Sequence, residues 1–146
     1  MSRNRECIRA FTLVEILIVV VILGILAAII VPQFTGATQE ARQTTTIHEL
    51  EKLRRAMGVY QARHDNALPP VEAGDGTWGP LVFQRGEYLA APPINPWVGG
   101  ANRRVVILSD QPDSEYQTDY AWIFNPDTGD VWAGSFDEND DPILPP

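Results

Sequence analysis

The chain has 146 residues, a formal net charge of −8 and one cysteine, Cys7. This leaves room for one small domain beside any membrane segment, and the acidic balance argues against a broad nucleic-acid-binding surface. With a single cysteine ahead of the main apolar run, nothing after that run can close an internal disulfide.

Residues 1–10 carry Arg3, Arg5 and Arg9 against Glu6 and form a short basic leader. The stretch 11–34, FTLVEILIVVVILGILAAIIVPQF, follows with Glu15 as its only charge. As a helix it spans roughly 36 Å, enough for a bilayer core. Apolar residues cover every face, which describes a membrane helix and not an amphipathic one. Basic residues ahead of it place the N-terminus in the cytoplasm and send the rest outward. The run exceeds the roughly 7–15 apolar residues of a secretory signal peptide, and Ala27-Ala28 give no A-x-A cleavage site, so the segment is expected to remain as an anchor. Glu15 is expensive in lipid unless it is paired. Gly24 weakens the helix and Pro32 removes a backbone donor, so the portion between them is the expected site of a kink.

Arg9-Ala10-Phe11-Thr12-Leu13-Val14-Glu15 and the apolar run behind it resemble the processing and methylation signature of type IV pilins and type II secretion pseudopilins. The resemblance implies cleavage of residues 1–10 between Ala10 and Phe11 by a membrane aspartyl prepilin peptidase, then N-methylation of Phe11 by the same peptidase/methyltransferase. It departs at Ala10, where the family usually has Gly. Ala is the smallest replacement bearing a side chain, and cleavage is expected to survive at a lower rate. Cleavage leaves a positive amine on Phe11, about one helical turn from Glu15. Between neighbouring helices of a filament, Glu15 of one subunit can face the amine of the next, turning a costly carboxylate into an assembly device.

Residues 35–66 change to an amphipathic pattern. Phe34, Ala37, Ala41, Leu50, Leu53, Met57 and Tyr60 recur at spacings mostly of three and four, with Ile47 between, and charged residues fill the other face. Glu51 and Arg55 have favourable i,i+4 spacing. Asp65-Asn66 and Pro69-Pro70 end the helix. His48 and His64 read as surface helix residues.

Residues 67–146 hold the four Trp and most of the Pro and Gly, and read as a globular β-rich head. The segment 78–89 is an irregular connection with room for one helical turn. Tyr88-Leu89 and Pro92-Pro93-Ile94-Asn95-Pro96-Trp97 resemble the YL…P…(D/N)PW stretch that enters the sheet in G-type major pseudopilins. Segments 103–109, 119–125 and 130–133 read as strands, and Asn125-Pro126-Asp127-Thr128-Gly129 is a turn that makes the last two a hairpin. The expected fold is α+β and pilin-like. A long N-terminal helix, membrane-spanning in its first half and amphipathic in its second, carries a small antiparallel sheet of about three strands on its C-terminal half.

No G-x-S-x-G, H-E-x-x-H, C-x-x-C or phosphate-loop motif occurs, so the chain reads as a non-enzyme. The acidic tail places Asp137, Asn139 and Asp141 like the first ligands of an EF-hand, but Pro142 stands where Gly is required. A solvated tail is the favoured reading, with weak calcium binding by those three residues as the alternative and no other cofactor. G-type pseudopilins bind calcium in a loop of another pattern, which 122–127 here does not match.

The resemblance therefore implies a pseudopilin of a type II secretion-like helical filament. Its partners would be further copies, other pseudopilins or minor pilins, the peptidase/methyltransferase, an inner-membrane assembly platform and the bilayer. It would be a single-pass bacterial inner-membrane protein with a periplasmic head, and after assembly part of a periplasmic or surface filament. The alternatives are a type IV pilin for motility, adhesion or DNA uptake, and a membrane-anchored binding protein that never assembles.

Overall fold

The computed structural model describes residues 11–74, 76–83 and 87–146, without the side chains of 31–35 and 83. The chain divides into two compact units, one ending at Thr38 and the other beginning at Gln39.

A single helix, α1 (Leu13–Arg63), contributes to both. In the first unit its described apolar side chains are bare: Ile16, Leu17, Val20, Leu23 and Ile25 are all more than half exposed. Leu13–Ile30 is long and apolar enough to cross a membrane and contains no buried position. A helix apolar on all sides and bare on all sides needs lipid or other apolar helices around it. Gly24 and the backbone of Pro32 lie inside α1, and an added Cβ at Gly24 would meet no atom within 4 Å. The side chain of Pro32 and the leader, with Ala10, lie outside the described residues.

In the second unit α1 acquires a buried seam of Thr46, Leu50, Leu53, Ala56, Met57 and Tyr60, with Ile47 half-buried. The seam starts later than the periodicity suggested, since Ala37 and Ala41 are exposed. Within this stretch of α1 Lys52 pairs with Glu49, one turn apart, and among the described residues no ion pair joins Glu51 to Arg55. After Arg63 the chain turns through Asp65 (φ 50°) and Asn66 (φ 63°). The Asn66 N–H reaches back to the Gln61 carbonyl at 2.9 Å, closing the helix end with left-handed residues that Asn and Asp tolerate.

The head adds α2 (Pro80–Phe83) and three short strands, β1 (Val106–Leu108), β2 (Trp122–Phe124) and β3 (Val131–Ala133), in sheet order β1-β2-β3. All three strands fall inside the expected segments. β2 and β3 form the antiparallel hairpin, with Ile123 opposite Trp132. Within its turn the Asn125 side-chain oxygen accepts the Asp127 and Thr128 N–H groups, and Gly129 takes φ 85° beside Leu68. An added Cβ at Gly129 would lie 2.4 Å from Leu68 Cδ2, so both conformation and space call for glycine.

The sheet is not wholly antiparallel, because β1 runs parallel to β2 with Val106 paired to Trp122. A parallel neighbour needs a return of about a dozen residues or more, and 109–121 supplies it. Polar bonds stiffen that return: Asp113 accepts the Ser135 N–H (2.7 Å), the Gln117 amide (2.8 Å) and the Tyr120 hydroxyl. β2 is also covered on both faces, with Trp122, Ile123 and Phe124 all buried. The core joins these strands to the α1 seam, Trp78, Leu81 and Phe136, and Trp78 meets Phe124 edge-on with ring centroids 6.2 Å apart. Close approach recurs at Gly76 (φ 76°), where a Cβ would strike the Arg104 carbonyl beside the Gly74–Val106 bridge.

Candidate functional site

The junction at the start of α1 is built from Phe11, Thr12 and Glu15. The Thr12 hydroxyl accepts the Glu15 N–H at 3.2 Å. Glu15 Oε2 in return accepts both the Thr12 N–H and the Thr12 hydroxyl, each at 2.9 Å. This is a capping box, in which two helix-end donors are satisfied reciprocally. It also places the carboxylate at the positive end of the helix dipole. The sequence held the signal, since Thr12-x-x-Glu15 ahead of an apolar run is the capping-box pattern, but the reading above assigned Glu15 only an intermolecular partner. Among the described residues no donor meets Oε1. Phe11 is 75% exposed, one residue before the cap.

The head holds a second constellation around Asn95, which is fully buried. Its Oδ1 accepts the Thr46 hydroxyl (3.0 Å), the Trp97 N–H (2.9 Å) and the Val98 N–H (3.2 Å). Its amide nitrogen donates to the carbonyls of Ala121 and Gly134, both at 3.0 Å. One side chain thus ties α1 to the 95–98 loop and to the backbone flanking β2 and β3. The YL…NPW stretch stands beside the sheet as a loop and contributes this tie instead of a strand. Trp97 completes it by donating its indole N–H to Ile143 at 3.2 Å and stacking edge-on with Phe136.

The acidic tail is organised by its own backbone. Asp137 Oδ1 accepts the N–H groups of Asp141 (3.0 Å) and Asn139 (2.8 Å), which hold the Asp137 carboxyl below its ordinary range. Asp140 pairs with Arg54 of α1, and Arg54 also donates to the Val131 carbonyl of β3 at 2.8 Å. Asp137, Asn139 and Asp141 therefore sit within one short turn. Among the described residues no three His, Cys, Asp or Glu side chains are grouped as a metal site. His48 is exposed, whereas His64 is half-buried and stacks on Tyr60 with ring centroids 4.0 Å apart.

A long helix that opens on a capped acid, is apolar in its first half and runs into a small mixed-sheet head defines a pilin-like subunit. The profile of the prokaryotic N-terminal methylation motif matches residues 7–31. The type II secretion system core protein G of Pseudomonas aeruginosa is 35% identical over 106 residues, covering 66% of this chain and 72% of that protein. The core protein G of Aeromonas hydrophila is 32% identical over 66% of this chain and 71% of its own length. That of Escherichia coli K12 is 26% identical over 76% and 86%. No solved structure matches the chain significantly. The chain belongs to the type II secretion system core protein G family.

Proposed function

We propose that this chain is a major pseudopilin, a structural and non-catalytic subunit of a type II secretion filament, processed between Ala10 and Phe11 and assembled through α1. The observation that carries the reading is the Thr12–Glu15 junction at the head of a helix that leaves its apolar faces bare within one subunit. Processing puts a methylated amine on Phe11. Glu15 Oε2 holds the cap of its own helix, while Oε1 is the oxygen offered to the amine of a neighbour. Capping lowers the cost of keeping the carboxylate in lipid before assembly, and the neighbour's amine completes its pairing afterwards. The same carboxylate thus serves both the waiting subunit and the filament.

In this account the N-terminus is cytoplasmic, the head is periplasmic, and the leader is removed by a prepilin peptidase that also methylates Phe11. The assembly platform, other pseudopilins and the bilayer are the remaining partners. The Gly24–Pro32 portion is the part of α1 that extends on packing, because it has the weakest backbone. The test replaces Glu15 by Val in the only subunit supplied to a competent secretion machinery. Membrane insertion should be intact while sheared filaments disappear; normal filaments from Glu15→Val would remove the role given to the carboxylate.

A further inference from the structure

The head carries a groove of about 530 Å³ between α1 and residues 87–94, with Lys52, Arg55 and Arg104 on its walls and Val59, Leu89 and Ile94 among its apolar lining. Both acids described in its lining are already engaged, Glu49 with Lys52 and Glu87 with Arg63. The side chains of Arg55 and Arg104 are exposed and have no ion pair or hydrogen bond among the described residues. An acidic chain thus presents one concave surface whose free charge is positive.

The opposite flank of α1 carries the complement. Arg54 lies roughly a quarter-turn to one side of the Leu50–Leu53–Met57 seam and holds the acidic tail through Asp140. Lys52 and Ala56 lie roughly a quarter to a third of a turn to the other side, at the groove. Along the tail, Glu138 and Asp141 are exposed with no ion pair among the described residues, and Leu144 follows them 65% exposed. Two acids and an apolar residue on one flank therefore match two guanidiniums and an apolar lining on the other. Arg54 and the Asp137 turn fix the tail on its own flank and keep it from reaching its own groove.

We infer that the groove of one subunit receives the acidic tail of a second copy, with Glu138 and Asp141 meeting Arg55 and Arg104 and Leu144 entering the apolar lining. This rests on the filament reading above and names the contact between its heads. Two different surfaces of one chain make a heterologous contact, which propagates into an open helix when it does not close into a ring. The contact is polar and partly exposed, so it sets register and is weakened by salt.

The test uses the full chain expressed with its peptidase and assembly machinery. Reversing the groove (Arg55→Glu with Arg104→Glu) or the tail (Glu138→Lys with Asp141→Lys) places like charges face to face, and each should lower sheared-filament yield by roughly tenfold or more. Combining the two reversals should restore it. In parallel, chains bearing Arg55→Cys and chains bearing Asp141→Cys are co-expressed; they should form mixed disulfide dimers, and this result decides the matter if a reversed chain melts far below wild type. Filament yield unchanged from wild type under either reversal, with no mixed dimers, would overturn this contact and leave the filament reading intact. Normal filaments with impaired secretion would assign the groove to an acidic cargo and overturn it equally. An absence of filaments from processed wild-type chain would overturn both readings.

Discussion

Replacing Asn95 by Ala is the sharpest probe of how the head is tied together. Five groups lose a partner, but not equally. Thr46 keeps the Arg42 carbonyl at 2.9 Å, and the Ala121 carbonyl keeps the Gly134 N–H at 2.7 Å. The N–H groups of Trp97 and Val98 and the carbonyl of Gly134 have no substitute shown in the structure. At about 1–3 kcal/mol for each buried group left unsatisfied, with part regained from entering water, the loss should be about 3–5 kcal/mol. For a domain of this size that lowers the melting temperature by roughly 10–20 °C. The assay is thermal unfolding of a soluble fragment beginning at Gln39, followed by circular dichroism. Asn95→Asp should do no better, because it keeps the acceptor but turns a second oxygen toward the carbonyls of Ala121 and Gly134. Glu51→Gln, on the exposed face of α1, should change stability by less than about 0.5 kcal/mol. If Asn95→Ala melted within 2 °C of wild type, a deviation far below the estimate of roughly 10–20 °C, the hub would be dispensable and the reasoning wrong.

The remaining predictions concern the junction, pH and calcium. Thr12→Val should weaken the start of α1 by about 1 kcal/mol while Thr12→Ser retains it, seen as faster amide exchange over the first turn of detergent-solubilised protein. Burial, and then the Asp113 carboxylate beside it, push the Tyr120 hydroxyl well above the ordinary tyrosine range. A raised group contributes stability that is complete below its unfolded pKa of about 10 and is lost as pH climbs toward the folded value. The head should therefore lose melting temperature above about pH 10, and Tyr120→Phe should flatten that loss. Asp137 is shifted the other way, first by the Asp141 N–H and then by that of Asn139, so its contribution should disappear as pH falls below about 4 and be absent in Asp137→Asn. Because one oxygen of Asp137 is already committed to those N–H groups, millimolar calcium should raise the melting temperature only slightly. A large shift abolished by Asp137→Ala or Asp141→Ala would establish a calcium site there.

Much of this arrangement was legible from residue patterns because local chemistry determined it. The bare apolar helix, the hairpin turn at 125–129 and the three strand positions each follow from a few adjacent residues. What escaped depends on distant partners. The direction of β1 is set by the 109–121 return and its bonds from Asp113 to Ser135, which no periodicity in the strands encodes. Ala37 and Ala41 fit the helical spacing of the seam, yet burial begins only at Thr46, where the Asn95 loop reaches α1. Asn95 itself figured only as one residue of the YL…NPW resemblance, and its five partners lie on four separate segments. The capping box differs from these cases, for Thr12 and Glu15 stand three residues apart and the pattern was in plain view.

Entry into a filament by the processed N-terminal junction is tested by the mass of the N-terminal peptide from subunits recovered in sheared filaments. That peptide should begin at N-methylated Phe11, with residues 1–10 absent. Subunits in those filaments that retain Met1 or Ser2, in cells possessing the peptidase, would contradict it.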